Sequence, residues 1–353
     1  MEQRNIYLDI AKGITIILVV LGHSIQYGSF EYLHAQFFQD PLFVAIYSFH
    51  MPLFMLISGY LFHGSICRHS FKYNIRTRFM SLLLPVIIWN SIYVALIVLQ
   101  HYLEGSTIHW TALLVSYITN IWFLWAIFWS SIIVLIIHRY FYDNIVLYIV
   151  LGCIALLLLR NNNISLYIYM YPYFVVGYLW KKYALDLKFK DLHTSKKTIL
   201  LLVSGLLYIL LYDDFSREDY IYITGTGLIR NLRTSQPFFD AHQLGIDIFR
   251  YVIGFVGASC ILMLIKLVMG SFKSKKLNTL NLILAKFGKR SLGIYIISVT
   301  FINGLILPSL PYKEHFGYLM IGIETIIFVT IPYFITIFLE KNRLTKKLML
   351  GSR

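Results

Sequence analysis

Two side chains in the first apolar segment carry chemistry that crossing a bilayer does not require. The stretch KGITIILVVLGHS runs from Lys12 to Ser24 and sets an ammonium eleven residues before the imidazole of His23. At 100° per residue that is three turns plus about 20°, so both lie on one helical stripe, about 16 Å apart along the axis. Asp9, three residues before Lys12, shares its face at the spacing of an intrahelical ion pair. The stripe therefore reads acid, base, imidazole. A plainer reading has Lys12 snorkelling to the headgroups and His23 sitting in wet interface. Ionisable groups inside a span are costly enough, however, to be candidates for function.

Two further groups fall at a similar depth. His50 begins the run HMPLFMLISGYLF, which has no charged residue until Arg68. With that segment running inwards, His50 lies about eight residues, or roughly 12 Å, below the outer surface. Glu324, in YLMIGIETIIF, is about seven residues into the last apolar segment from the same side. Imidazole beside an orienting carboxylate is the equipment of general base chemistry on a hydroxyl.

The elements that must position these groups are membrane helices. Of 353 residues, 58% are hydrophobic and only 14% charged, and the mean hydropathy is +0.68. Soluble domains carry about a quarter charged residues. Runs such as LLLPVIIWNSIYVALIVL satisfy their backbone in hydrocarbon only as helices. The expected fold is all-α and polytopic, one membrane-embedded domain over 1–353. It has about ten spans, at roughly 6–27, 42–63, 79–101, 113–137, 143–159, 164–180, 198–212, 245–268, 290–309 and 317–339. Asp9 and Lys12 argue against a cleavable signal peptide. Cys67, Cys153 and Cys260 lie far apart without metal-type spacing, so neither a disulfide framework nor a metal site is expected.

The net charge of +14 is an orientation signal rather than a nucleic-acid footprint. Segments 64–78, 181–197, 270–289 and the tail from Lys341 hold most of the cations. The alternate connections hold few: Arg160, Lys313, and in 213–244 Arg217, Arg230 and Arg233 diluted by five acids. An even number of spans with this alternation puts both termini in the cytoplasm of a plasma (inner) membrane protein.

At this point the chain resembles the acyltransferase-3 family of integral membrane O-acyltransferases, the sugar and polysaccharide O-acetylase type. The likeness rests on the basic residue, ten residues and histidine of Lys12 and His23. It continues through FHMPLFMLISGYLF, RTRFMSLLLP leading to Pro85, NIWFLWAIFW and GKRSLGIYIIS, in that order. The resemblance implies transfer of an acetyl group from acetyl-CoA to a hydroxyl of a cell-surface or lipid-linked glycan. It makes Lys12 and His23 the essential pair and Arg76 and Arg78 the cytoplasmic basic group. Ser298 stands where many members carry histidine, which leaves Glu324 or His50 to take that place.

Such chemistry divides the residues by side. A phosphate-rich donor needs cations at the inner face, and Arg68, Arg76, Arg78 and Lys12 are the donor-binding candidates. Arg76 and Arg78 are two residues apart and would not face one way on a regular helix. His23 is the expected general base, with Lys12, His50 and Glu324 completing the catalytic candidates, and transient acylation of His23 is the variant mechanism. Cys67 is expected on a basic loop, with no sequence-adjacent base. Ser58-Gly59, Trp122 and Trp125 read first as packing residues. Arg250 and Asp247 read first as an internal ion pair. The acids and tyrosines of the 213–244 loop suit a carbohydrate or a merely solvated loop. The rival functions are a glycan transporter or flippase, which lacks support from any repeat-related pair of broken helices, and a non-catalytic scaffold.

Overall fold

The computed structural model describes residues 5–29, 36–157, 162–229, 239–271, 275–300 and 318–351. Arg160, Arg230, Arg233, Lys273, Lys313, Arg353 and the expected span residues 158–159, 301–309 and 317 lie outside that description. Helices account for the described chain apart from turns and one isolated bridge, Ile229 to Phe239. The all-α polytopic expectation holds.

Among the described residues, seven helical stretches are long and apolar enough to cross a membrane: Ile6–Tyr27, Pro41–Arg68, Phe71–Glu104, Trp122–Phe141, Thr194–Asp213, Ala241–Leu267 and Tyr318–Glu340. Helix α1 (Ile6–Ser24) starts where the Asn5 side chain accepts from the Tyr7 amide at 3.1 Å. The second stretch is two helices, α2 (Pro41–Tyr47), capped by Asp40, and α3 (His50–Arg68). Next, α4 (Phe71–Arg78) passes through a π turn at Phe79–Leu83 into α5 (Leu84–Glu104).

The expected fourth span, 113–137, is not one rod. It breaks at Asn120–Ile121 into α6 (Trp110–Thr119) and α7 (Trp122–Phe141). Both halves are apolar, so hydropathy runs through a break that backbone geometry makes. Helices α8 (Ile145–Leu156) and α9 (Asn162–Lys182) follow, then the short α10 (Leu185–Asp191) and the rim helix α11 (Thr194–Asp213), none of whose residues is buried. Beyond the single-turn α12 (Ile221–Thr224), α13 (Ala241–Ser271) crosses back. The amphipathic α14 (Lys275–Lys289), α15 (Ser291–Ile297), α16 (Tyr318–Glu340) and α17 (Arg343–Leu350) complete the bundle.

Helix α1 is central, packed by α3, α13, α14, α15 and α16. Close approach is set by small residues. A Cβ on Gly13 would strike the Leu284 carbonyl of α14, and one on Gly288 would strike the Asp9 carbonyl of α1. Gly59 of α3 and Gly177 of α9 face each other's backbones in the same way, as expected for Ser58-Gly59.

The basic end of the bundle is stapled by one carboxylate. Tyr142 and Asp143 both adopt positive φ in the α7–α8 turn. This drives Asp143 inward, where Lys182 (2.7 Å), His138 (2.8 Å), Tyr148 (2.8 Å) and Tyr178 (3.0 Å) all reach it. Burial pushes this carboxyl up, but the hydrogen bonds from Lys182, His138 and Tyr148 outweigh it and hold it below its ordinary value. A carboxyl depressed in the folded state stabilises fully above its unfolded pKa and loses that contribution as pH falls through the native one. The difference in unfolding free energy between wild type and Asp143→Asn, measured by denaturation in detergent, should therefore be constant from pH 7 to about 5. It should shrink below about pH 4, where the free carboxyl titrates.

Candidate active site

The site is built where α1 ends beside the break between α2 and α3. Gly22, just before His23, carries no Cβ, and one added there would meet the Tyr47 ring. The ring therefore lies flat against α1. After Ser24 the helix widens into a π turn, Ile25–Ser29, a distortion common at functional sites. Tyr27 then stacks on His23, with centroids 5.9 Å apart and planes 20° apart. Gln26 turns its Oε1 to 3.3 Å from both His23 Nδ1 and the Tyr47 hydroxyl.

Pro52 explains the second half. Without an N–H it continues no helix from Ser48, but it is tolerated in the first turn of a new one. The chain kinks at Phe49, and α3 starts at His50. The Ile46 carbonyl then lies 2.7 Å from His50 Nδ1. His50 is 3% exposed, and its ring is 4.8 Å from that of Tyr47. His23 reaches the same tyrosine edge-on at 6.4 Å. The two predicted histidines thus flank one phenol ring.

A narrow cleft of about 20 Å³ opens here, lined by Tyr47, His50, Trp122, Asp219, Tyr220 and Tyr222. Trp122 meets Tyr222 edge-on at 6.2 Å. It therefore borders the site, whereas Trp125 packs by donating to the Tyr117 carbonyl at 3.0 Å. Glu324 is 4% exposed. It lies one turn deeper than Ile321, which packs in a cluster with Ile25 and Ile46, and Tyr318 anchors the start of α16 on Asp40 at 2.5 Å. Ser298 is buried and donates to the Phe328 carbonyl at 3.2 Å, joining α15 to α16.

Beside the cleft, the segment from Glu218 to Gly225 is folded by a buried cation. Arg250 is 1% exposed. It donates to the carbonyls of Asp219 (2.8 Å), Gly225 (2.5 Å) and Glu218 (3.0 Å), to Asp247 (3.0 Å) and to the Thr224 hydroxyl. Asp247 also accepts from Gln243 and Thr226, each at 2.8 Å. This is the internal pair that the sequence suggests, and it fixes the segment that carries Tyr220 and Tyr222.

The remaining candidates lie at the basic end. Lys12 pairs with Asp9 at 3.0 Å, as its spacing predicts. The Arg78 guanidinium lies 4.2 Å over the Phe62 ring, and its buried Nε finds no hydrogen-bond partner among the described residues. Arg68 and Arg76 are exposed, so Arg76 and Arg78 do face different ways. Phe62 is twelve residues along α3 from His50, which puts Arg78 about 18 Å from the histidine pair along the axis.

One expectation needs revision: Cys67 is on α3 rather than in a loop, and His63 one turn earlier is 3.5 Å from its sulfur. Gln26 and Tyr47 carry no sequence signal that marks them, whereas Tyr222 is one of the tyrosines that the 213–244 loop offers to a carbohydrate. A cavity of about 530 Å³ lies at the basic end between Tyr7, Leu56, Tyr60, Trp180, Leu262 and Lys266. No predicted site residue lines it, so convergent polar groups and not cavity size locate the site. Among the described residues, no group of three or more histidine, cysteine, aspartate or glutamate side chains could hold a metal ion.

A helical membrane protein with buried imidazoles at one end and an inward-turned arginine at the other has the plan of a membrane-embedded transferase. The acyltransferase-3 family model, described as an acyltransferase domain, matches residues 5–339, and the chain belongs to that family. It is similar to Nodulation protein NolL of Mesorhizobium japonicum, 34% identical over 183 residues, 51% of this chain and 48% of that one. It is also similar to Nodulation protein NolL of Sinorhizobium fredii, 33% identical over 223 residues, 63% of this chain and 60% of the other. The match thus spans about half to three fifths of the length of these relatives. No solved structure matches.

Removing the Arg250 cation would strand Asp247 in the interior. Arg250→Met should destabilise the protein by about 3–5 kcal/mol. Limited proteolysis should then cut faster within 213–229 than in the wild type.

Proposed function

We propose that this protein is an O-acyltransferase of the plasma (inner) membrane with both termini in the cytoplasm. It moves an acetyl group from acetyl-CoA to a hydroxyl of a cell-surface glycan or lipid-linked sugar. The observation that carries this reading is the convergence of His23 and His50 on Tyr47, which with His50 lines an aromatic cleft. Family membership supports the acyl chemistry.

Donor phosphates would be held at the cytoplasmic face. Arg78 is the best-placed cation, with an unused buried donor and an aromatic face beneath it. Exposed Arg68 and Arg76 raise the local positive field, and Lys12 would add to it when a donor phosphate replaces Asp9 as its partner. From Arg78 to the histidines is about 18 Å, a distance for the extended arm of the donor to bridge. Acetyl-CoA supplies an activated thioester. His23 takes the proton of the acceptor hydroxyl as its oxygen bonds to the thioester carbonyl carbon. The carbon–sulfur bond breaks, and the proton passes from the imidazolium to the departing CoA thiolate. His50 borders the cleft that would receive the acceptor, and its aromatic walls and Asp219 suit a sugar's faces and hydroxyls. Glu324 is proposed to support the imidazoles from α16.

The experiment uses the full chain in proteoliposomes with labelled acetyl-CoA and a glycan extract of the source membranes. His23→Ala should bind acetyl-CoA normally and transfer at least about a hundredfold more slowly. Arg78→Ala should weaken acetyl-CoA binding by about tenfold or more, the value of a lost charged hydrogen bond. Full transfer by His23→Ala would overturn the catalytic assignment. Glycan movement across the membrane without acyl transfer would establish the transporter instead.

A further inference from the structure

An imidazole acts as a base only through the ring nitrogen that carries no proton, and the bond made by the other nitrogen decides which one that is. At His23 the other partner is a single amide oxygen. Gln26 Oε1 lies 3.3 Å from His23 Nδ1, and the Tyr47 hydroxyl donates to the same oxygen at 3.3 Å. An amide oxygen only accepts, so Nδ1 must be the donor. The π turn brings Gln26 to this place, and Gly22 lets Tyr47 lie close enough to share it.

We infer that Gln26 is the positioning residue of the site: it holds His23 as the Nδ1–H tautomer and leaves Nε2 free to receive the acceptor proton. The inference rests on the proposed role of His23 and deepens it. Gln26 touches neither donor nor acceptor in this account. It does with a neutral amide what a carboxylate does for the histidine of a hydrolytic triad. His50 supplies an internal comparison. Its Nδ1 bonds the Ile46 backbone carbonyl at 2.7 Å, which fixes the same tautomer without any side chain. Substitution at position 26 should therefore disturb one imidazole and spare the other.

The test uses the full-length protein in nanodiscs, labelled with ¹⁵N-histidine, with His23 signals assigned by their loss in His23→Gln. Gln26→Leu keeps the volume and removes the acceptor. We expect its kcat to fall on the order of tenfold or more, its KM for acetyl-CoA to stay constant, and the His23 Nδ1–H signal to give way to mixed tautomers. Unchanged His50 signals would show that the fold is intact. Gln26→Glu, which can only accept, should keep the Nδ1–H signal at pH 8 and return kcat to within about threefold of wild type. Three results would overturn the inference: a wild-type His23 protonated at Nε2, a wild-type kcat in Gln26→Leu, or equal impairment in the leucine and glutamate variants. The tautomer is read without turnover. If His23→Ala retained transfer, the catalytic reading would fall while the assignment of the proton was still decided by the spectra.

Discussion

A buried guanidinium has to be answered on every side, and the half of this protein opposite its basic end is organised around that requirement. Arg250 is almost wholly removed from solvent, and an unpaired ion there would cost several kcal/mol. It recruits three backbone carbonyls, a hydroxyl and one carboxylate from a segment that otherwise has little core of its own. Fixing that segment fixes Tyr220 and Tyr222 over the histidines. At the opposite end the same logic runs with reversed sign, where Asp143 gathers a lysine, a histidine and two tyrosines. Each end of the bundle thus has a buried ion that gathers the chain around it.

Between these fastenings, helix contact is a matter of surface fit, because lipid is as apolar as the helix faces themselves. The glycine contacts of α1 with α14, and of α3 with α9, let backbones touch where side chains would hold them apart. This keeps α1 in a fixed rotation. Lys12 and His23 depend on that rotation, since their common stripe faces the same neighbours only while the rod neither turns nor slides. Precision at the site is therefore bought far from it.

Much of this was legible in the sequence, for reasons that can be named. The helical class follows from hydrocarbon length and backbone satisfaction. The Asp9–Lys12 and Asp247–Arg250 pairs follow from i,i+3 spacing, and the divergence of Arg76 from Arg78 from i,i+2 spacing. The similar depth of His23 and His50 follows from counting rise per residue. What was not legible depends on local departures from the ideal helix. The break at Asn120–Ile121 lies between two apolar stretches and leaves hydropathy unchanged. The partnership of His63 with Cys67 needed α3 to run on past the expected end of its span. Gln26 is an ordinary polar residue until a π turn brings it beside His23 and Tyr47.

That π turn makes the site sensitive to chain length as well as to composition. A π turn holds one more residue than an α turn. Deleting any single residue from Ile25–Ser29 would let the ordinary helical ladder resume and shift everything after it by about 100°. Removing Ile25, for example, would bring Gln26 and Tyr27 each one position nearer to His23, so a phenol would arrive where the amide had been. A substitution in this stretch changes one group; a one-codon deletion exchanges the chemical identity of the imidazole's neighbour. The five residues after Ser24 thus act as a ruler, setting the imidazole's surroundings by their number as well as by their identity.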